Sequence, residues 1–362
     1  SDNKWNEIGP RKFVNETNLN YGYGRINCIK FNPLDSNEIW AGSAGGGLWI
    51  YNIKNKTWRN IEETNFFSIG ISDIAFAASE PNKVYLATGD ARGGEFFRGY
   101  TLGILHSIDN GKTFNSVDEI ILNNIKFIKK INVHPLNSDL IFIGTDKGLY
   151  SFNFQTKTLQ TLITNNFISD IEFHPENPDI IYVSTANKNI NYVYKTTDGG
   201  NTFSQILEIK NSNRIELYTI PSRPMALWVL SDKFYSIERA NLFYSDDEGI
   251  NFQNLLSSEF ARYLVGGQGF YNLMIAINNS NPNEIYVGGV PLHFSSNGGK
   301  SFDIISNNIH VDQHDLIFDN SGNIYLANDG GLYRSSNKGY TWENLSEGLG
   351  ITQFYNVAFN KP

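Results

Sequence analysis

A short apolar pattern recurs seven times along this chain, and it constrains the fold more than any other feature. An aliphatic residue, an aromatic, another apolar residue and then usually a small one read EIWAGS around Trp40, KVYLATG around Tyr85, LIFIGT around Phe142 and IIYVST around Tyr182. The pattern continues as ALWVLS around Trp228, EIYVGG around Tyr286 and NIYLAN around Tyr325. Successive aromatics stand 45, 57, 40, 46, 58 and 39 residues apart. A period of this size marks stacked supersecondary units, and about 40–50 residues suits a four-stranded propeller blade.

Each copy has the same neighbours. A strand ending in a Pro/Asn-rich turn precedes it (IKFNPLDSN, INVHPLNSD, IEFHPENPD), and a third strand follows (GLWIYN, GLYSFN, GLYRSSN). A turn and a closing aromatic complete the unit, so each reads as strands A, B, C and D. The expected fold is all-β, one seven-bladed β-propeller over residues 1–362. Its blades fall roughly at 22–60, 69–117, 127–162, 167–207, 214–255, 270–305 and 314–345. The stretch 353–362 either closes the ring or starts a second domain. A closed ring leaves few sheet edges exposed. The aromatics of strand B read as core packed between blades, rather than as a stacking platform for sugars.

Composition agrees and excludes some functions. Aromatics reach 14% and Gly numbers 32, which suits many short strands joined by tight turns. The net charge is −8 with no dense basic run, so the electrostatic footprint of a nucleic-acid partner is missing. A single cysteine, Cys28, rules out an internal disulfide framework. No apolar run is long enough for a membrane helix.

The turn between strands C and D is the most specific signal. It reads SIDNGKTF, TTDGGNTF, SDDEGINF, SSNGGKSF and SSNKGYTW, with Asp109, Asp198, Asp247, Asn297 and Asn337 at the third position. An Asp or Asn there can accept hydrogen bonds from the turn's own N–H groups, and the Gly supplies positive φ. These acids are therefore expected to be structural, although glycosidases do use paired carboxylates.

The turns resemble the Asp-box, or bacterial neuraminidase repeat. Together with INCIKFNP, GGQGFYNLMIAINNSNPNEIYVGG, HVDQHDLIF and NDGGLYRSSNKGYTW, they make the chain similar to Asp-box propeller proteins exported by Bacteroidetes-type bacteria. That group includes sialidase-like, sortilin-like and glycoside hydrolase members. The resemblance implies an exported or cell-surface protein, often with further domains. Two features depart from its enzymes. GRIN (24–27) lacks the proline of the sialidase Arg-Ile-Pro motif, and no arginine trio stands out. In xyloglucanase-type hydrolases a catalytic Asp sits in a B–C loop; the equivalent position here resembles Ala44, which cannot act as an acid or base.

The strand order places the loops. A–B and C–D turns share one face, and D–A and B–C connections share the other. Ligands of propellers usually meet the second face, an analogy at the level of fold. There the sequence offers Arg25, Asn27, Asp90, Arg98, Gln268, Tyr271, Asn272, His310, Asp312, His314 and Asp329 as ligand-binding candidates. Asp90, Glu95, Asp312 and Asp329 are the candidates for catalysis. His310, Asp312 and His314 alternate along an extended stretch and are competent ligands for a divalent metal, the one cofactor the sequence suggests. A His beside the carboxylate could instead form a proton-transfer pair, or the three could merely brace the loop entering blade seven. Asp315 aligns with Asp73 and Asp170 near the channel mouth. These acids could bind a cation, stand solvated or bond to neighbouring N–H groups. The expected function is a non-catalytic binding module for a protein or glycan. The alternatives are a glycoside hydrolase and a component of a secretion or adhesion machine.

Overall fold

Seven runs of alternating apolar residues, each cut by Pro/Asn/Gly turns, form seven four-stranded antiparallel sheets in a computed structural model of the chain. The structure describes residues 22–64, 70–92, 99–117, 124–234, 236 and 238–353. The sheets span 26–60, 71–117, 128–164, 168–210, 215–254, 274–304 and 313–344, here blades 1 to 7. Within each, strands A to D pair in chain order. Strand A of each blade contacts strand A of the next, and strand A of blade 7 returns to that of blade 1. The molecule is a seven-bladed β-propeller, with the A strands lining a central channel.

The core is divided among the blade interfaces. Seven buried apolar clusters lie one between each adjacent pair of blades. The strand B aromatics Trp40, Tyr85, Phe142, Tyr182, Trp228, Tyr286 and Tyr325 are each at most 2% exposed. They fill these interfaces because alternate residues of a strand face opposite neighbours. Blade 7 packs on blade 1 through Tyr325, Leu345, Leu349 and Ile351 against Tyr23, Ile26 and Ile39. Thr352 Oγ1 donates to the Tyr23 carbonyl at 3.0 Å, tying the two sides of this seam. Among the described residues, no helix is long and apolar enough to cross a membrane.

The C–D turns use one device. Asp109 Oδ1 accepts from Thr113 N at 2.9 Å and from the Ser107 hydroxyl at 2.7 Å, while Thr113 Oγ1 donates to Oδ2 at 2.7 Å. Asp198 and Asp247 repeat the pattern. Asn297 and Asn337 accept through Oδ1 and donate from Nδ2 to Ser301 and Thr341. Gly111 has φ of +75°, and a Cβ there would meet the Trp40 ring at 2.3 Å. The turn backbone and its fit against the previous blade both require glycine.

These bonds hold three carboxyls low. Hydrogen bonds from Ser107 and Thr113 bring Asp109 down to about 2. Bonds from the Asn251 N–H and Ser245 hydroxyl do the same for Asp247. Asp198 is lowered likewise, first by the Thr202 hydroxyl. A depressed carboxyl stabilises the fold above its unfolded value of about 4, and that contribution is lost as pH falls toward its folded value. Asn at the same position already serves blades 6 and 7. The triple variant Asp109→Asn, Asp198→Asn, Asp247→Asn should therefore fold and lose less melting temperature between about pH 4 and 2 than the parent. Parallel acid limbs for the two proteins would refute this account.

Candidate binding site at the channel mouth

The inner strands begin irregularly, and this irregularity builds the mouth of the channel. In five blades strand A carries a bulge near its start, seen as register shifts at Ile26/Cys28, Ile71/Asp73, Gly144/Thr145, Ile168/Asp170 and Gln313/Asp315. The extra residues are Asn27, Ser72, Lys129, Ser169 and His314. A bulge bends its strand and re-aims side chains, and it breaks simple alternation. Asn27 Nδ2 and Ser72 Oγ each reach a backbone carbonyl of the following blade, at 3.1 and 2.6 Å. Asn27 is thus a brace between blades.

The acids that follow three of these bulges share one role. Asp73 accepts from Ile74 N at 3.0 Å and from Ile131 N of the next blade at 3.0 Å. Asp170 accepts from Ile171 N and Leu217 N, both at 2.9 Å. Asp315 accepts from Leu316 N and Ile29 N, both at 2.9 Å. Each carboxylate clips its own strand to the next inner strand. Of the alternatives the sequence left open for these acids, bonding to neighbouring N–H groups is the one found.

Loops from four blades converge above this ring. Arg25 leads into strand A of blade 1 and pairs with Asp90, on the B–C loop of blade 2. Its other nitrogen donates to the Tyr271 hydroxyl at 3.0 Å. Tyr271 lies in helix α2 (Gly269–Asn272), on the connection from blade 5 to blade 6 after helix α1 (Ser258–Tyr263). Its hydroxyl sits 2.8 and 2.7 Å from the oxygens of Asp329, on the B–C turn of blade 7. His314 Nε2 is 2.6 Å from Asp329 Oδ1. The His314 ring also meets Tyr271 edge-on, 5.1 Å between centroids.

The electrostatics fix the proton in this cluster. Burial drives His314 down to about 3, even against Asp329, so its imidazole is neutral at neutral pH. Its Nδ1 has no hydrogen-bond partner. A neutral ring with Nε2–H donating to Asp329 and a bare Nδ1 satisfies both facts. Burial alone would raise Asp329, but the bonds from His314 and Tyr271 and the charge of Arg25 hold it below its usual range. Burial pushes the Tyr271 phenol up.

The supposed metal triplet is not assembled. Asp312 bonds to Asn272 Nδ2 at 2.5 Å, His310 Nδ1 lies 2.9 Å from the Val311 carbonyl, and His314 turns to Asp329. Among the described residues no three His, Cys, Asp or Glu side chains come together as a metal site. The bulge at His314 and the φ of +67° at Asp312 explain why: the segment is not regularly extended. Asp312 is raised, first by burial and then by the nearby charge of Asp329. Gln268 stands exposed before α2. Glu95 and Arg98 lie outside the described residues.

Three cations here were not among the ligand-binding candidates. Arg92 donates to the His314 carbonyl at 3.2 Å. Arg214 donates to Glu216 at 2.5 Å and to the Tyr271 carbonyl at 3.1 Å. Lys129 occupies the bulge of blade 3. One signal was available: the Lys129–Lys130 pair stands where the neighbouring blades carry Ser-Asp.

No protein-family model and no curated protein matches the chain. Solved structures share its fold. The GH74 enzyme of Niastella koreensis superposes with a TM-score of 0.69 at 20% identity, over 92% of this chain and 55% of that one. The extracellular domain of BT4673 from B. thetaiotaomicron gives 0.59 at 17% identity, over 88% and 39%. YCF48 bound to D1 peptide gives 0.60 at 16% identity, over 86% and 92%. The chain thus spans about half the length of the GH74 enzyme and less of BT4673, and at these identities the likeness is one of propeller fold.

Proposed function

We propose that the chain is a recognition module that binds a protein or glycan on the D–A/B–C face. One observation carries this reading. Arg25, Asp90, Tyr271, His314 and Asp329, from four blades, are linked by one chain of hydrogen bonds around the channel mouth. Such a largely buried frame holds the loops around it rigid as a recognition surface, while its carboxylates are already engaged. At Ala44 the loop offers only a backbone N–H, bonded to the Arg25 carbonyl at 3.1 Å. Exposed Tyr100, Tyr263, Phe270 and Val311 on loops of this face supply apolar contact. The extracellular BT4673 domain and the longer GH74 enzyme fit an exported module within a larger surface protein, and with it the Asp-box kinship.

A second reading rests on a specific pair. Asp312 is pushed up while Asp329 is held down, and carboxyls driven apart in this way serve as acid and base in glycosidases. A glycan and peptide binding screen, run beside a glycosidase panel, separates the two. Binding without turnover is the expected result. Turnover that falls at least about 100-fold in Asp312→Asn would replace the recognition reading with hydrolysis.

A further inference from the structure

Beside the channel mouth lies a second cavity of about 360 Å³, within the range that holds small ligands. It is walled by Ala91, Phe167, Ala186 and Phe270, from blades 2, 4 and the α2 connection, and Lys129 and Arg214 line it too. Lys129 is 7% exposed, yet its Nζ has no hydrogen-bond partner. Arg214 is 3% exposed; its Nε and Nη1 are engaged, but Nη2 has none. Arg92 adds a third positive charge close enough to act on both. Of the acids that act on Lys129, Glu216 is paired with Arg214, and Asp170 with Lys130 and two backbone N–H groups. Buried cations without partners are costly, and a negative charge offsets that cost.

We infer that this cavity binds a small organic anion, a carboxylate carried on a single ring, with the carboxylate at Lys129 and Arg214 and the ring between Phe167 and Phe270. Both side chains line the cavity, a charge-assisted contact would satisfy their unpartnered donors, and the aromatic walls suit a planar or sugar ring. This inference rests on the reading of the D–A/B–C face as a binding face, and it narrows that reading to one pocket and one chemistry.

The occupant's charge offsets the buried amine of Lys129. Burial, with Arg214 and Arg92 nearby, pushes that amine well below the ordinary lysine range, although Glu216 and Asp170 act the other way. Lys129→Met keeps an unbranched apolar chain, one atom shorter, and removes the amine. It should fold at least as stably as the parent, because it deletes a buried polar group without a partner.

The test is calorimetric titration of the whole chain with benzoate, with glucuronate and with inorganic phosphate. One ring carboxylate should bind, phosphate should bind more weakly, and Lys129→Met should weaken the ring carboxylate at least about tenfold while leaving the melting temperature unchanged or higher. Benzoate and glucuronate separate an aromatic from a sugar source. The inference is overturned if neither binds at about 10 mM, if phosphate binds as well as both, or if Lys129→Met binds like the parent. A glycan or peptide hit in the wider screen alongside any of these leaves the recognition face standing and removes only this pocket from it.

Discussion

Asp170→Ala should cost about 3–5 kcal/mol of folding stability, read from urea unfolding, because it strands two backbone N–H groups and takes from Lys130 its nearest carboxylate. The carboxylate accepts from Ile171 N and Leu217 N at 2.9 Å and from Lys130 Nζ at 3.0 Å, with its side chain 3% exposed. Burial alone would lower the Lys130 amine, yet the carboxylates of Asp170, Asp73, Glu172 and Glu216 hold it well above its ordinary value. Removing Asp170 takes away the nearest of these and leaves two inner-strand N–H groups unpaired between blades 4 and 5. Asp315→Ala is the natural comparison. Its carboxylate bonds the same two kinds of N–H, but the residue is only half-buried, so the loss should be nearer 1–2 kcal/mol. If Asp170→Ala cost less than about 1 kcal/mol, water would be serving these donors and the clip would be incidental.

These clips show where sequence reading stops. The blades were legible because Trp40, Tyr85 and their five counterparts combine period-two alternation with a repeat of blade length, and the C–D turns announce themselves through Asp or Asn before Gly. The position of Asp73, Asp170 and Asp315 was legible too, one residue before the first buried aliphatic. Their role stayed open between a cation and neighbouring N–H groups, because a carboxylate bonding two backbone N–H groups looks, in sequence, like one awaiting a cation. The bulge was equally hidden, since one extra residue in a strand has no compositional mark. It turns His314 away from His310 and dissolves a triplet whose spacing looked right. The cluster of Arg92, Lys129 and Arg214 joins three blades far apart in the chain, and only ring closure brings them together.

Arg25 and Asp90 provide the sharpest test of the mouth as a frame. Both are buried, and each is the other's only counter-charge in direct contact among the described residues. Asp90→Asn should cost about 3 kcal/mol, because a buried guanidinium is left without a carboxylate. Arg25→Met should cost a similar amount for the opposite reason and should also free the Tyr271 hydroxyl, which retains Asp329 as its partner. The double variant removes both charges. Its loss should be smaller than the sum of the single losses by at least about 1.5 kcal/mol, measured as a denaturant double-mutant cycle. Additive losses would mean that each side chain acts alone and that the frame is not a unit. The double variant also separates support from recognition, since it should fold with the mouth largely intact. If it keeps the binding found in the screen, the pair is a brace beneath the binding face. If binding falls although the double variant is still folded at the assay temperature, Arg25 or Asp90 meets the ligand directly.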